Sequence, residues 1–229
     1  TVDPTRFARA SRTALKPDGI LLFEFPHLLE MIEQTGFEAI CHERASYFSL
    51  IAIERLFALR GLRILHVAPA LRAGWLRVFA CRSESTLAPS SEIEPMIRRE
   101  VAAGLDRIET FVQFAERSQS ILTRIGAFFD QLKTQGKTAV AFGASPRGNA
   151  LLSYCGVRRD TLAYVVDPDS EKHGLSIPGT GIPIVTPERI RETRPDFVMV
   201  LPGWSVEEVV REHRYVRSWG GQFGCLNVT

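Results

Sequence analysis

Apolar and polar positions divide the chain into a stretch of mixed patterns, a long helical stretch and a strand–helix alternation. Phe7, Ala10, Ala14 and Leu15 share one face of a helix predicted over Asp3 to Leu15. Lys16-Pro-Asp-Gly19 ends it, because proline has no amide to donate and Asp-Gly favours a turn. The apolar run Ile20 to Phe25 predicts a fully buried strand of the kind found in parallel sheets covered on both faces, stopped by Pro26. His27 to Glu33 predicts a short helix, and Gly36 to Ser49 a polar loop interleaved with aromatic residues. Leu50, Ile51, Ile53, Leu56 and Phe57 then mark a helix capped by Ser49 and ended by Gly61. Leu62 to Ala70 and Trp75 to Cys81 are β-rich runs, and the short connection between them predicts an antiparallel hairpin.

Ser, Pro and acidic residues dominate Thr86 to Glu94, where we place a domain boundary. Apolar positions from Ile97 to Leu132 then keep a helical period, predicting one long helix or two broken near Gly104, ending at Gly136. Beyond this, strands predicted at Thr138–Ala141, Leu162–Val166, Phe197–Leu201 and Gln222–Asn227 alternate with helices after Asn149, at Pro187–Thr193 and at Ser205–Trp219. Such alternation builds a doubly wound parallel sheet that binds ligands at the carboxyl ends of its strands. Gly143 to Asn149, Asp167 and Pro202 to Ser205 fall at such ends. The Gly- and Pro-rich Lys172 to Pro183 is either a rigid cover facing a ligand or a surface crossover.

The 229 residues suffice to bury a real core, and 45% apolar with 24% charged residues is ordinary for a soluble protein. A net charge of +2, without Lys/Arg runs, argues against a nucleic-acid surface. No apolar stretch is long enough to span a bilayer and no signal-peptide pattern opens the chain, so the expected setting is cytoplasmic, away from membranes. Cys41, Cys81, Cys155 and Cys225 lack the spacing of a zinc cluster or a disulfide framework, and no metal is expected. All four are expected to be small buried hydrophobes.

The chemistry concentrates in Gly143-Ala-Ser-Pro-Arg-Gly-Asn149. A strand, a small-residue loop and a helix start place free N–H groups and the positive end of a helix dipole together, which suits an anion. Arg147 would add a fork matched to phosphate. A glycine-containing turn with a solvated arginine is the alternative.

Several stretches together resemble one family. Leu15-Lys-Pro-Asp-Gly-Ile20 with Phe23-Glu-Phe-Pro26, His42-Glu43 with Ser46-Tyr-Phe-Ser49, Gly143 to Asn149 with Leu151-Leu-Ser-Tyr-Cys-Gly156, and Tyr164-Val-Val-Asp167 with Pro178-Gly-Thr180 stand in collinear order. They resemble the C-terminal two-thirds of the S-adenosylmethionine (SAM)-dependent sugar C-methyltransferases, which methylate C3 of a nucleotide-linked 4-keto-deoxysugar. The resemblance implies an α/β fold in which a C-terminal Rossmann-like sheet is preceded by long helices and by the later half of a SAM-methyltransferase fold. It implies a partial methyltransferase domain at residues 1–85, a helical connector at 86–135 and a nucleotide-sugar-binding domain at 136–229. The family's zinc cysteines and its glycine loop for the cofactor have no counterpart here, so SAM, the family's cofactor, is not expected to bind well to this chain alone.

The family's Tyr-His-Glu-His stands here as Cys41-His42-Glu43-Arg44, and its His-Gly-Gly-Ser as Arg72-Ala-Gly-Trp75. A guanidinium is always charged and cannot take a proton at neutral pH. By resemblance the candidate catalytic residues are therefore His42 and Glu43, with Arg44 steadying an oxyanion; the first two could equally form a structural pair. Candidate contacts to a nucleoside-diphosphate sugar are Ser145, Arg147, Gly148, Asn149 and Asp167. A non-catalytic nucleotide-sugar-binding module derived from the family is the rival reading. A nicotinamide oxidoreductase is disfavoured because the loop lacks the full G-x-G-x-x-G spacing. Homo-oligomerisation is left open by the sequence.

Overall fold

The structure, a computed structural model, describes residues 3–41 and 44–226. Two compact units emerge, Thr1–Gly36 with His42–Glu116 and Phe37–Cys41 with Arg117–Thr229.

In the first unit, α1 (Pro4–Ala14) is capped by Asp3, whose carboxylate accepts from the Arg6 amide. It leads to β1 (Leu21–Pro26), α2 (Leu28–Glu33) and α3 (Leu50–Ala58). Ser49 caps α3 by accepting from the Ala52 amide at 3.1 Å, as its sequence position predicts. β2 (Leu62–Pro69) and β3 (Trp75–Arg82) form the expected hairpin, and the sheet order is β1-β3-β2, antiparallel throughout.

β1 departs from expectation. It is an edge strand paired antiparallel with β3, and its burial alternates: Phe25 is buried while Ile20 and Leu22 are 52% and 53% exposed. Glu24 shares the outer face with Ile20 and Leu22 and pairs with Arg77, so that face is the solvated side of an antiparallel edge strand. The inward face packs Phe23 against Phe25 and Phe57, with ring centroids 5.7 and 5.4 Å apart, in a core shared with Leu50, Ile53 and Val78.

α4 (Ile93–Ala102) stops where a break was predicted: Gly104 takes φ +75° and the Leu105 amide donates back to the Glu100 carbonyl. α5 (Ile108–Thr134) then runs unbroken for 27 residues, and Gly136 follows in the left-handed region.

The second unit holds β4 (Ala139–Phe142), α6 (Pro146–Tyr154), β5 (Val165–Val166), β6 (Ile184–Val185), α7 (Arg189–Thr193), β7 (Phe197–Val200), α8 (Val206–Glu212) and β8 (Gln222–Cys225). The strands lie in the order β6-β5-β4-β7-β8 and every pair is parallel. The chain winds outward from β4 through β5 to β6, returns to the other side of β4 and winds outward again. This is the doubly wound α/β sheet that the alternation predicts, with its switch point between β4 and β7. Val140, Phe142, Val198 and Val200 are buried in its centre.

Local differences have local causes. α6 begins at Pro146, ahead of Asn149, because Ser145 supplies a cap and proline suits the first helical position. Ser205 to Trp219 divides into α8 and a 3-10 stretch, Arg214–Trp219. β6 was not foreseen, since two residues are too few to show a period. Among the cysteines, Cys81 is buried, Cys41 and Cys155 are half-buried, and Cys225 is exposed because it ends edge strand β8. Burial pushes the Cys155 thiol up to about 11. Among the described residues no helix is long and apolar enough to cross a membrane, and no His, Cys, Asp and Glu cluster could hold a metal.

Candidate functional site

At the carboxyl end of β4 the chain makes the turn from Gly143 to Ser145 and enters α6. Gly143 adopts φ +95°, and the indole of Trp204 lies where a side chain would start: a Cβ would fall 2.1 Å from the ring. Only glycine fits there. Ser145 accepts from the Gly148 amide at 2.9 Å and donates its own hydrogen to the Pro202 carbonyl, tying α6 to the loop after β7.

The turn is not the array of free amides that its sequence suggests. Gly143 donates to Val166, Ser145 to the Gly143 carbonyl and Asn149 to the Ser145 carbonyl. Ala144 donates to Asp167 Oδ2 at 2.7 Å. Asp167, 1% exposed at the end of β5, also accepts from the Asp169 amide at 2.9 Å and from Lys172 Nζ, 3.2 Å from each oxygen. Its carboxylate fastens two strand-end loops together. His173 Nε2 donates to the Asp167 carbonyl at 2.7 Å, which anchors the start of the Gly/Pro-rich loop. Asn149 Oδ1 is buried without a partner among the described residues.

Arg147, in the first turn of α6, reaches Glu38 of the 3-10 turn Phe37–Ala39 and pairs Nη2 with Oε1. Its side chain is 51% exposed and that of Glu38 only 3%. Phe37 sets its ring against Tyr154 at the far end of the same helix, centroids 6.2 Å apart. The 3-10 turn thus lies along α6, with the charged pair at one end and the aromatic pair at the other.

In the first unit, the candidate catalytic loop is described in part: His42 and Glu43 lie outside the described residues. The Arg44 guanidinium stands 5.5 Å from the Tyr47 ring centre and 5.9 Å from that of Trp75, while Arg72 stands 4.7 Å from Trp75. Arg44, Arg72 and Trp75, all departures from the motifs this chain resembles, therefore form one cluster.

A buried group that sequence reasoning missed holds the end of this loop. Glu100 of α4 is fully buried and accepts from the Leu50 and Ile51 amides at 2.6 and 2.9 Å, satisfying the orphan donors at the start of α3. His27, 2% exposed, places Nε2 2.6 Å from the same carboxylate. The His27 amide donates to Gly74 and the Leu28 amide to Phe48, so the start of α2, the β2–β3 turn and the loop before α3 meet at one point. A signal existed: Glu100 follows Ile97 by three residues, on the apolar face of its helix. Glu38 carried no such signal.

Residues 70–226 match a family model described as the C-methyltransferase C-terminal domain. The chain belongs to the C-methyltransferase family. Residues 1–67 of this C-methyltransferase-family chain match a second model, described as a methyltransferase domain. C-methyltransferase NovU of Streptomyces niveus is 30% identical to it over 210 residues, which is 91% of the chain and 50% of that protein. The chain thus spans about half the length of this curated relative.

Proposed function

We propose that this C-methyltransferase-family chain supplies the substrate-holding half of a SAM-dependent enzyme that methylates carbon of a nucleoside-diphosphate 4-keto-deoxysugar. The observation that carries the proposal is Arg147: a half-exposed guanidinium at the carboxyl end of central strand β4, beside the switch point of a doubly wound sheet. Arg147 contacts the diphosphate and Asn149 the ribose, while Ser145, Gly148 and Asp167 build the turn that carries them. Residues 136–229 act as the binding domain, 86–135 as the connector and 1–85 as the part contributing acid–base groups.

On the substrate, the chain's own task is to remove the proton beside the ketone and steady the oxygen that gains charge. His42 or Glu43 takes the proton. Arg44, permanently cationic, steadies the oxyanion. SAM, when bound, would supply the methyl group. The described residues of the first unit do not fit it: their strands pair only antiparallel, and none leads through a glycine turn into a helix.

A second reading, a nucleotide-sugar-binding module without catalysis, is favoured by one observation: where the family pattern has its last histidine, Arg44 packs against Tyr47 and Trp75. Methyl transfer by a chain extended to the relative's full length, with Arg44 in place, would dismiss it.

Calorimetric titration with dTDP and UDP tests the primary reading. Binding is expected for the wild-type chain, and Arg147→Ala should weaken it by roughly 10- to 100-fold, the loss of a charge-assisted hydrogen bond. SAM should raise the melting temperature little. Unchanged affinity in Arg147→Ala would remove the assigned diphosphate contact.

A further inference from the structure

We infer that Glu38 is a positioning residue for Arg147, a buried carboxylate that holds the guanidinium so that its open edge meets an anionic ligand. The inference rests on the proposed diphosphate contact of Arg147 and adds the residue that sets its geometry.

Arg147 stands in the first turn of α6, where the helix dipole disfavours a cation. An anion beside it offsets this, and Glu38 is that anion in the structure. The pairing is lopsided: Glu38 is 3% exposed, while half of the Arg147 side chain faces solvent. Only one guanidinium nitrogen, Nη2, is given to Glu38, and it goes to Oε1. A guanidinium has five N–H donors in a planar fork, so the outer edge remains able to bind two oxygens of a phosphate.

The carboxylate has unused capacity as well. Glu38 Oε2 is buried and has no partner among the described residues. A buried acceptor left in that state is unfavourable, and a small turn of the guanidinium would close the pair to the two-bonded form. An anion drawing on the outer edge of Arg147 favours that turn, because both carboxylate and ligand then bind one rigid plane. Groups that contact ligand are held by others locked in packing, and the aromatic pair Phe37–Tyr154 locks the 3-10 turn bearing Glu38.

The sign of one measurement separates positioning from plain electrostatics. Removing a negative charge near an anion site should tighten anion binding if charge alone counts. Loss of positioning should weaken it. Calorimetric titration of this chain with dTDP and with inorganic pyrophosphate is expected to show about tenfold weaker binding in Glu38→Gln. In an Arg147→Ala background, Glu38→Gln should cause no further loss, whereas damage from general misfolding would add to it. Arg147→Lys guards against a Glu38 variant that fails to fold: it keeps the charge but not the fork, and should lose about as much as Glu38→Gln. Equal or tighter binding in Glu38→Gln, or wild-type affinity in Arg147→Lys, would overturn the role of Glu38 while leaving that of Arg147. Unchanged binding in Arg147→Ala would remove both.

Discussion

Glu100 in the first unit and Glu38 in the second are almost equally buried, yet they are used differently. Glu100 receives two backbone amides and an imidazole, all themselves buried, and neither oxygen is left over. Glu38 receives one nitrogen of a half-exposed arginine and keeps one oxygen unmatched. The first arrangement is closed and leaves nothing to offer a ligand. The second is open on both sides, with an unmet acceptor behind and free donors in front. The two carboxylates thus differ in the completeness of their hydrogen bonding rather than in depth.

Stability measurements should make that contrast visible. The largest effect is expected for Glu100→Gln, which turns an amide donor toward amides that already donate. A loss of about 3 kcal/mol in urea unfolding is expected. Glu38→Gln should cost less than about 1 kcal/mol in the same experiment, because its partner is half-exposed and can turn to water. Similar losses at the two positions would abolish the distinction. Gly143→Ala comes next: the added carbon meets Trp204 at a positive φ, for a loss of roughly 2 kcal/mol. A near-neutral result would mean that the turn after β4 relaxes easily and is a poor mount for Arg147.

The smallest effect contrasts two histidines. His27 has a carboxylate on its ring nitrogen, whereas His213 has the Tyr215 hydroxyl, at 2.8 Å, and packs its ring on Phe142. Burial lowers the His213 pKa; Arg191 acts in the same direction, and Glu212 and Glu188 oppose it. With the folded value below the unfolded one of about 6.5, its contribution to stability is present above that pH and fades as pH falls. His213→Asn should therefore reduce the drop in melting temperature between pH 7 and pH 5 by about 2 °C. An unaltered drop would assign the acid sensitivity to other groups.

Much of this architecture was legible in the sequence, because the signals are local. Ser49, Gly61 and Gly104 end or begin helices by their own backbone and side-chain chemistry. The strand–helix alternation was enough to anticipate the parallel sheet. What escaped depended on partners far along the chain. In the Ile20–Phe25 run only Glu24 marked the outer face as uncovered, and its partner Arg77 stands 53 residues further on. The motif at Gly143 to Asn149 indicated a turn leading into a helix, but not that the helix starts already at Pro146 or that Asp167 and Val166 would consume amides of the turn. Glu38 and Arg147 stand 109 residues apart, beyond the reach of any periodicity.

Ser145 shows how narrow the tolerance at this turn is. Aspartate is an equally good first choice for opening a helix, but it has no hydrogen to pass to the Pro202 carbonyl across the switch point. Alanine would forfeit both duties. Variation at this position is thus limited to side chains that can give and receive at once, with threonine the nearest substitute, and any drift toward acidity would loosen the seam between two neighbouring strands before it disturbed the helix.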